Sequence, residues 1–175
     1  MKTFIAFLRG INVSGQKKIK MIELKASLEK EGYKKVQTYI QSGNIILNSE
    51  EDICSIKEGI RKVILKDFGL EVPVLVTTKE VLGVILEKYP FKDADDKNQY
   101  YTLLFDKPDA NLVDGFNTLK FNTEDFLIAE DCVYLNCKGG AGKAKLNNNL
   151  IEKKLKVTAT TRNLRTMQKM LLLAS

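Results

Sequence analysis

One order of secondary-structure signals runs through this chain twice, and that repeat restricts the possible folds more than anything else in the sequence. Residues 3–8 are almost continuously apolar, the pattern of a strand covered on both faces. After a Gly-containing loop at 9–18, Met21, Leu24 and Leu28 share one face of a helix over 20–31, and Gly32 stops it. Strands at 35–40 and 44–48 flank Gln41-Ser42-Gly43-Asn44, a hairpin signal. Ser49-Glu50-Glu51-Asp52 has capping-box form and opens a helix with Ile53, Ile56, Ile60, Ile64 and Phe68 at helical spacing and Gly69 past its end. A strand at 72–77 follows. Thr77-Thr78-Lys79-Glu80 is a second capping pattern, and its helix stops before Pro90.

The polar, turn-rich stretch 89–98 predicts a linker. Beyond it the order returns: a strand at 99–105, a helix at 109–117, strands at 124–130 and 132–137, a helix at 143–154, a strand at 156–160 and a last helix at 162–173, with Leu164, Met167 and Leu171 on one face. A βαββαβ order is the split βαβ, ferredoxin-like unit. The expectation is therefore an α+β protein made of two tandem ferredoxin-like plaits from an internal duplication, packed as one compact unit. Residues 1–88 form the first plait, 89–98 the linker and 99–175 the second.

A chain of 175 residues buries roughly two-thirds of its unfolded surface without a disulfide or metal staple. It contains no histidine, which removes His-based acid–base catalysis, Ser-His or Cys-His nucleophiles and His-ligated metals. Cys54, Cys132 and Cys137 are an odd number of cysteines, and reduced, buried thiols in a cytoplasmic protein are the simple reading. Cys132 and Cys137 lie five apart on one strand and so on opposite faces, which argues against a shared metal. No stretch approaches the ~20 apolar residues of a membrane span, and the short apolar run at the N-terminus reads as a strand rather than a signal. Neither a metal nor a cofactor is implied.

The net charge of +6 is unevenly placed. Residues 1–22 carry five basic side chains and no acid, and residues 138–175 carry nine against Glu152 alone. The ends are thus +5 and +8 and the middle is −7. If the ends meet, they make one basic face that favours anionic partners. If they pair with the acidic middle, the pattern contributes little.

Four segments could carry chemistry. The loop 9–18 offers Arg9, Gly10, Asn12 and Lys17. Its glycines let the backbone wrap an anion that Arg9 and Lys17 could bind, although the G-x-G-x-x-G spacing is absent. The run Cys137-Lys138-Gly139-Gly140-Ala141-Gly142-Lys143-Ala144-Lys145 suggests a phosphate loop but lacks the required hydroxyl at Ala144. What survives is Lys143 and Lys145 at a helix N-terminus, where free N–H groups favour anions. In Thr161-Arg162-Asn163-Leu164-Arg165, Thr161 reads as the N-cap. Arg162 and Arg165 then stand in the first turn against the helix dipole, which suggests a bound anion or a carboxylate partner. Gln41, Ser42 and Asn44 are neutral hydrogen-bonders at a hairpin tip whose turn already explains Gly43 and Asn44. The carboxylates form no pair in an apolar cleft, so no catalytic residue is nominated.

The stretch 7–47, FLRGINVSGQKKIKM through TYIQSGNIIL, resembles the N-terminal signature of the domain-of-unknown-function 1697 family. The tail KAKLNNNLIEKKLKVTATTRNLRTMQKML resembles its C-terminal one. Ser14 stands where the family usually has Gly, and Leu164 where an aromatic is common. The resemblance implies two ferredoxin-like plaits in a bacterial cytosolic protein, with no established activity. It draws attention to Arg9, Gly10 and Asn12, then Gln41, Ser42, Gly43 and Asn44, then Lys145, Thr161, Arg162 and Asn163. The functional expectation is a phosphate-bearing ligand, a nucleotide or nucleic acid, held by basic Gly- and Arg-containing loops. The alternatives are an enzyme on a phosphorylated or nucleotide substrate and a non-catalytic scaffold. An RNA reader of the stacking-sheet kind is disfavoured, because no RNP1-like run is present and residues 4–8 are apolar throughout.

Overall fold

The computed structural model describes residues 1–175. Its elements run β1 (Lys2–Leu8), α1 (Met21–Glu31), β2 (Lys34–Tyr39), β3 (Asn44–Ser49), α2 (Ile53–Phe68), β4 (Val74–Thr77), α3 (Lys79–Glu87), β5 (Gln99–Leu104), α4 (Ala110–Asn117), β6 (Glu124–Ile128), β7 (Cys132–Cys137), α5 (Asn148–Leu155), β8 (Ala159–Asn163) and α6 (Leu164–Leu173), with short 3-10 turns at Asp96–Asn98 and Ala141–Lys143. This is an α+β fold with two four-stranded antiparallel sheets, ordered β2-β3-β1-β4 and β6-β7-β5-β8. The chain divides into two compact units, Met1–Val84 with Lys169–Ser175, and Ile85–Gln168.

In the first unit the apolar run of β1 takes a central place. Phe4, Ala6 and Leu8 alternate onto the face covered by α1 and α2, where they join Leu24, Leu28, Ile45, Leu47, Ile56, Ile60 and Ile64 in one core. Ile5 and Phe7, on the opposite face, are also fully buried. Burying side chains of this size contributes roughly 1.5–3 kcal/mol each, so both faces of β1 contribute to stability. The second unit repeats the scheme. Leu104, Val133, Leu135, Cys137, Ile151, Leu155 and Ala159 form the core beneath α4 and α5. Tyr101, Leu103, Cys132 and Tyr134, on the other face of β5 and β7, are buried as well.

Element order agrees with the sequence reading, while several ends move for local reasons. The capping residue of α2 is Asp52, whose carboxylate accepts from Ser55 N at 2.8 Å. Ser49, assigned to that role above, instead accepts from Glu51 N in the turn before it. Thr78 rather than Thr77 caps α3, accepting from Val81 N. The helix expected from 143 starts at Asn148, because Asn147 caps it and accepts from Leu150 N at 3.0 Å. The last helix starts at Leu164 rather than 162, since Asn163 Oδ1 accepts from Thr166 N at 2.9 Å while residues 159–163 remain paired to β5.

Gly43 joins the hairpin tip to β1. Its carbonyl accepts from Leu8 N at 2.8 Å, its φ is +79°, and a Cβ there would stand 2.7 Å from Leu8 Cβ and 2.8 Å from Ile11 Cδ1. Gly69, the αL end of α2, has a φ of +67° and open space around it. Gly43→Ala is therefore expected to destabilise the protein by about 2–4 kcal/mol, combining overpacking with αL strain. Gly69→Ala carries the strain alone and should cost about 1–2 kcal/mol. Urea unfolding of the two variants side by side checks the difference.

Candidate functional site

Antiparallel pairing of β1 with β3 and β4 brings three connections of the first unit to one end: the loop 9–20, the hairpin tip 40–43 and the link 69–73. Asn12 ties them. Its Nδ2 donates to Ile19 O at 2.9 Å and to Gln41 O at 2.8 Å, and its Oδ1 accepts from Ile19 N at 2.9 Å. Arg9 N donates to Pro73 O at 3.0 Å, and Lys17 Nζ donates to Glu71 O at 2.8 Å. Gly10, Asn12, Ser14, Gly15 and Lys17 all have positive φ, so the loop turns repeatedly and holds its shape through these bonds. Asn44 is buried, and its Nδ2 donates to Tyr39 O and Ser42 Oγ, both at 2.9 Å.

All seven residues nominated in this unit (Arg9, Gly10, Asn12, Lys17, Gln41, Ser42, Asn44) thus lie at one end. Their roles differ. Asn12 and Asn44 spend both amide protons on the scaffold, so they position the loop. Lys17 and Gln41 are exposed, and Arg9, Gly10 and Ser42 are half-buried.

The nominated residues of the second unit gather at the topologically opposite end, where β7 leaves for α5 and β8 finishes. The structure corrects two readings there. Lys143 and Lys145 are not in the first turn of α5. Lys143 lies in the 3-10 turn Ala141–Lys143, and Lys145 precedes the helix. The backbone groups thought free for an anion already hold one, because Glu124 Oε1 accepts from Lys145 N and from Leu146 N, the latter at 3.3 Å. Glu124 Oε2 accepts from Thr123 Oγ1 at 2.9 Å. Burial by itself would raise this carboxyl, but the bonds from Thr123, Leu146 and Lys145 outweigh it and hold its pKa below the ordinary value.

The second correction concerns the arginines. Thr161 caps no helix. Its hydroxyl pairs with Thr102 Oγ1 at 2.8 Å across the ladder and donates to Asn148 Oδ1 at 2.9 Å. Arg162 lies in β8, is only 8% exposed, and donates to Thr160 Oγ1 and Thr161 O. Arg165 alone is in the first helical turn, and it is exposed. The dipole argument therefore applies to one arginine, and Asn163 is the cap.

Four carboxyls are held below their ordinary values: Asp52 by bonds from Ser55, Glu80 by its bond from Thr78, Glu130 by its bond from Lys107, and Glu124 as above. Burial raises the Cys132 thiol well above its usual value and the Cys137 thiol to about 11, so both stay protonated and unreactive. Cys54, expected to be buried, is exposed. No three Cys, Asp or Glu side chains come together as a metal site, and no helix is long and apolar enough to cross a membrane.

Sequence reasoning missed one concavity. A cavity of about 790 Å³ lies in the first unit, at the end away from Asn12, with Glu31, Tyr33, Glu51, Cys54, Glu58 and Gly59 in its lining. Burial, then Glu51 and Glu31, push the Tyr33 phenol up to about 12. A signal was available in the isolated glycine within α2: a Cβ at Gly59 would lie 2.0 Å from Tyr33 Oη.

Glu124→Ala should destabilise the protein by about 2–3 kcal/mol, because it leaves the Lys145 and Leu146 N–H groups without an acceptor. With its folded pKa below the unfolded one, Glu124 contributes fully above the ordinary glutamate value of 4.5 and loses that contribution as pH falls through the lower folded value. Acid unfolding of the wild type should therefore show a loss of stability in that range that Glu124→Gln lacks.

A family model described as "Protein of unknown function (DUF1697)" matches residues 1–134, so the C-terminal signature lies beyond the matched stretch. Among solved structures, the fold is similar to that of the conserved bacterial protein SP0830 from Streptococcus pneumoniae. The TM-score is 0.78 at 20% identity, covering 99% of this chain and 98% of that one. No curated protein matches the sequence.

Proposed function

The chain belongs to the DUF1697 family, and we propose that it binds a phosphate-bearing ligand, a nucleotide or nucleic acid, at the Asn12-clasped end of its first unit. One observation carries this reading: two segments singled out separately in the sequence, 9–18 and 41–44, are locked together by the Asn12 carboxamide. That clasp holds Arg9, Lys17 and Lys18 at one end; residues 1–22 contain no acid, and Glu71 on the neighbouring link is the acid beside Lys17. A fixed loop with cations and outward polar groups meets an anion without first paying to order itself.

The strand orders support reading each unit as a ferredoxin-like plait and the two as products of duplication. With β1, β5 and β7 buried on both faces, a nucleic acid would be met at loops and not by stacking on an open sheet. The Lys143–Arg165 end of the second unit ranks behind, because Glu124 already fills its backbone anion niche. A cytoplasmic setting fits reduced thiols.

The test is fluorescence anisotropy with short single- and double-stranded RNA and DNA at low and near-physiological salt, with free nucleotides as competitors. A Lys17→Ala/Lys18→Ala variant removes two exposed cations, with the Lys17 Nζ bond to Glu71 O, and leaves the Asn12 clasp in place. Binding should weaken steeply with salt, and the variant should lose roughly 0.7–0.9 from the log–log slope for each phosphate contact removed. No binding of any probe at low salt would end this reading.

A further inference from the structure

The outer edge of the second sheet is open. In the ladder with β7, Lys138 N donates to Thr123 O and Ala129 N to Cys132 O. In that register Asp125 and Leu127 also turn their backbone groups toward β7. The N–H and C=O groups of Phe126 and Ile128 therefore point outward, with no strand beyond them. The corresponding edge of the first sheet is guarded. There β2 carries an irregularity between Lys34 and Gln37, Lys35 has a φ of +49°, and both lysines are exposed. Strand β6 is short and begins with the charged pair Glu124-Asp125, but its register is unbroken and its outward-bonding stretch, Phe126–Ile128, carries no charge, proline, lysine or bulge.

We infer that β6 pairs antiparallel with β6 of a second copy, around a two-fold axis through Leu127. In this register Phe126 of each copy exchanges both backbone bonds with Ile128 of the other, so the outward groups are satisfied mutually. Leu127, which is 44% exposed, meets its own counterpart at the non-hydrogen-bonded position on the axis, where side chains come closest.

Charge selects a second copy over an unrelated strand. The N-terminal end of β6 is flanked by exposed Lys120, Lys143 and Lys145, with Lys138 paired to Asp125 of the same chain, and its C-terminal end by exposed Asp131 and by Glu130, which pairs with Lys107. Antiparallel pairing sets the basic end of each copy beside the acidic end of the other, and it does so at both ends. An apolar groove of about 290 Å³ between Pro108, Val113 and Ile128 lies beside the acidic end and extends the contact. The result joins two four-stranded sheets into one continuous sheet.

Sedimentation equilibrium of the full chain tests the pairing, with a dimer expected that weakens as salt rises. Ile128→Pro removes an N–H that makes no bond to β7, so the fold is retained while the dimer dissociation constant should rise about tenfold or more. Independently, Leu127→Cys in a Cys54→Ser background should give a disulfide-linked dimer on mild oxidation. The non-hydrogen-bonded pair places the two Cα atoms about 4.5 Å apart, within disulfide reach. Gln37→Cys on the guarded β2 edge serves as the control and should not cross-link. A chain that stays monomeric up to millimolar concentration would overturn the proposal. So would a dimer indifferent to Ile128→Pro, or cross-linking at Leu127→Cys no greater than at Gln37→Cys.

Discussion

Everything in this fold depends on the need to bury both faces of a strand that has nothing polar to offer water. Ile5, Ala6, Phe7 and Leu8 are fully buried, and their backbone groups have to find partners once their side chains exclude solvent. Only a central place in a sheet meets both needs. With β3 on one side and β4 on the other, every main-chain group of β1 is within reach of a ladder. Strand β5, between β7 and β8, answers the same demand in the second unit. Once the central strand is set, α1 and α2, or α4 and α5, have one face to cover, and their apolar stripes decide how they lie on it.

That arrangement leaves the connections at the two sheet ends as the places where polar chemistry can collect, and each unit has closed one of them with a single side chain. In the first unit Asn12 supplies two donors and one acceptor to the backbone. In the second the Glu124 carboxylate takes donors from Lys145, Leu146 and Thr123. The difference matters for ligands. A neutral carboxamide adds no negative charge of its own beside the surrounding cations, whereas a carboxylate in the niche already supplies the negative charge a phosphate would bring. This is why the first unit is the better candidate for an anion even though the second holds more basic residues near its ends.

The order of elements was legible because apolar periodicity is a local property: Met21, Leu24 and Leu28 face one core as a helix whatever lies around them. Helix starts were less legible. A capping pattern depends on which of several neighbouring hydroxyls or carboxylates the tertiary structure frees, and Asp52 and Asn163 won over Ser49 and Thr161 because the latter were taken up by a turn and a ladder. The role of Glu124 could not be read at all. Its partners lie twenty-one and twenty-two residues away, and nothing in its own neighbourhood marks it as different from a surface acid. Arg162 was misplaced for a related reason, since the pairing that extends β8 to Asn163 involves β5, far off in sequence.

The two units also distribute their elaborations differently. The first has its long connection after its first strand, over 9–20, and a short one after its third, 50–52. The second has a short connection at 105–109 and a long one at 138–147. These positions fall at opposite ends of equivalent sheets, because successive strand-to-helix connections leave from alternate ends. If the halves arose by copying, an ancestral ligand loop would sit at the same end in both. It does not, so under that reading the basic loops would have been acquired, or lost, after the copies separated. The guarded β2 edge and the open β6 edge differ in the same way, with the bulge and lysines present in one unit only. What the halves share is therefore the part that burial dictates, the central strand and the helices over it. What separates them are loops and edges, the parts of such a unit that can change without touching the core.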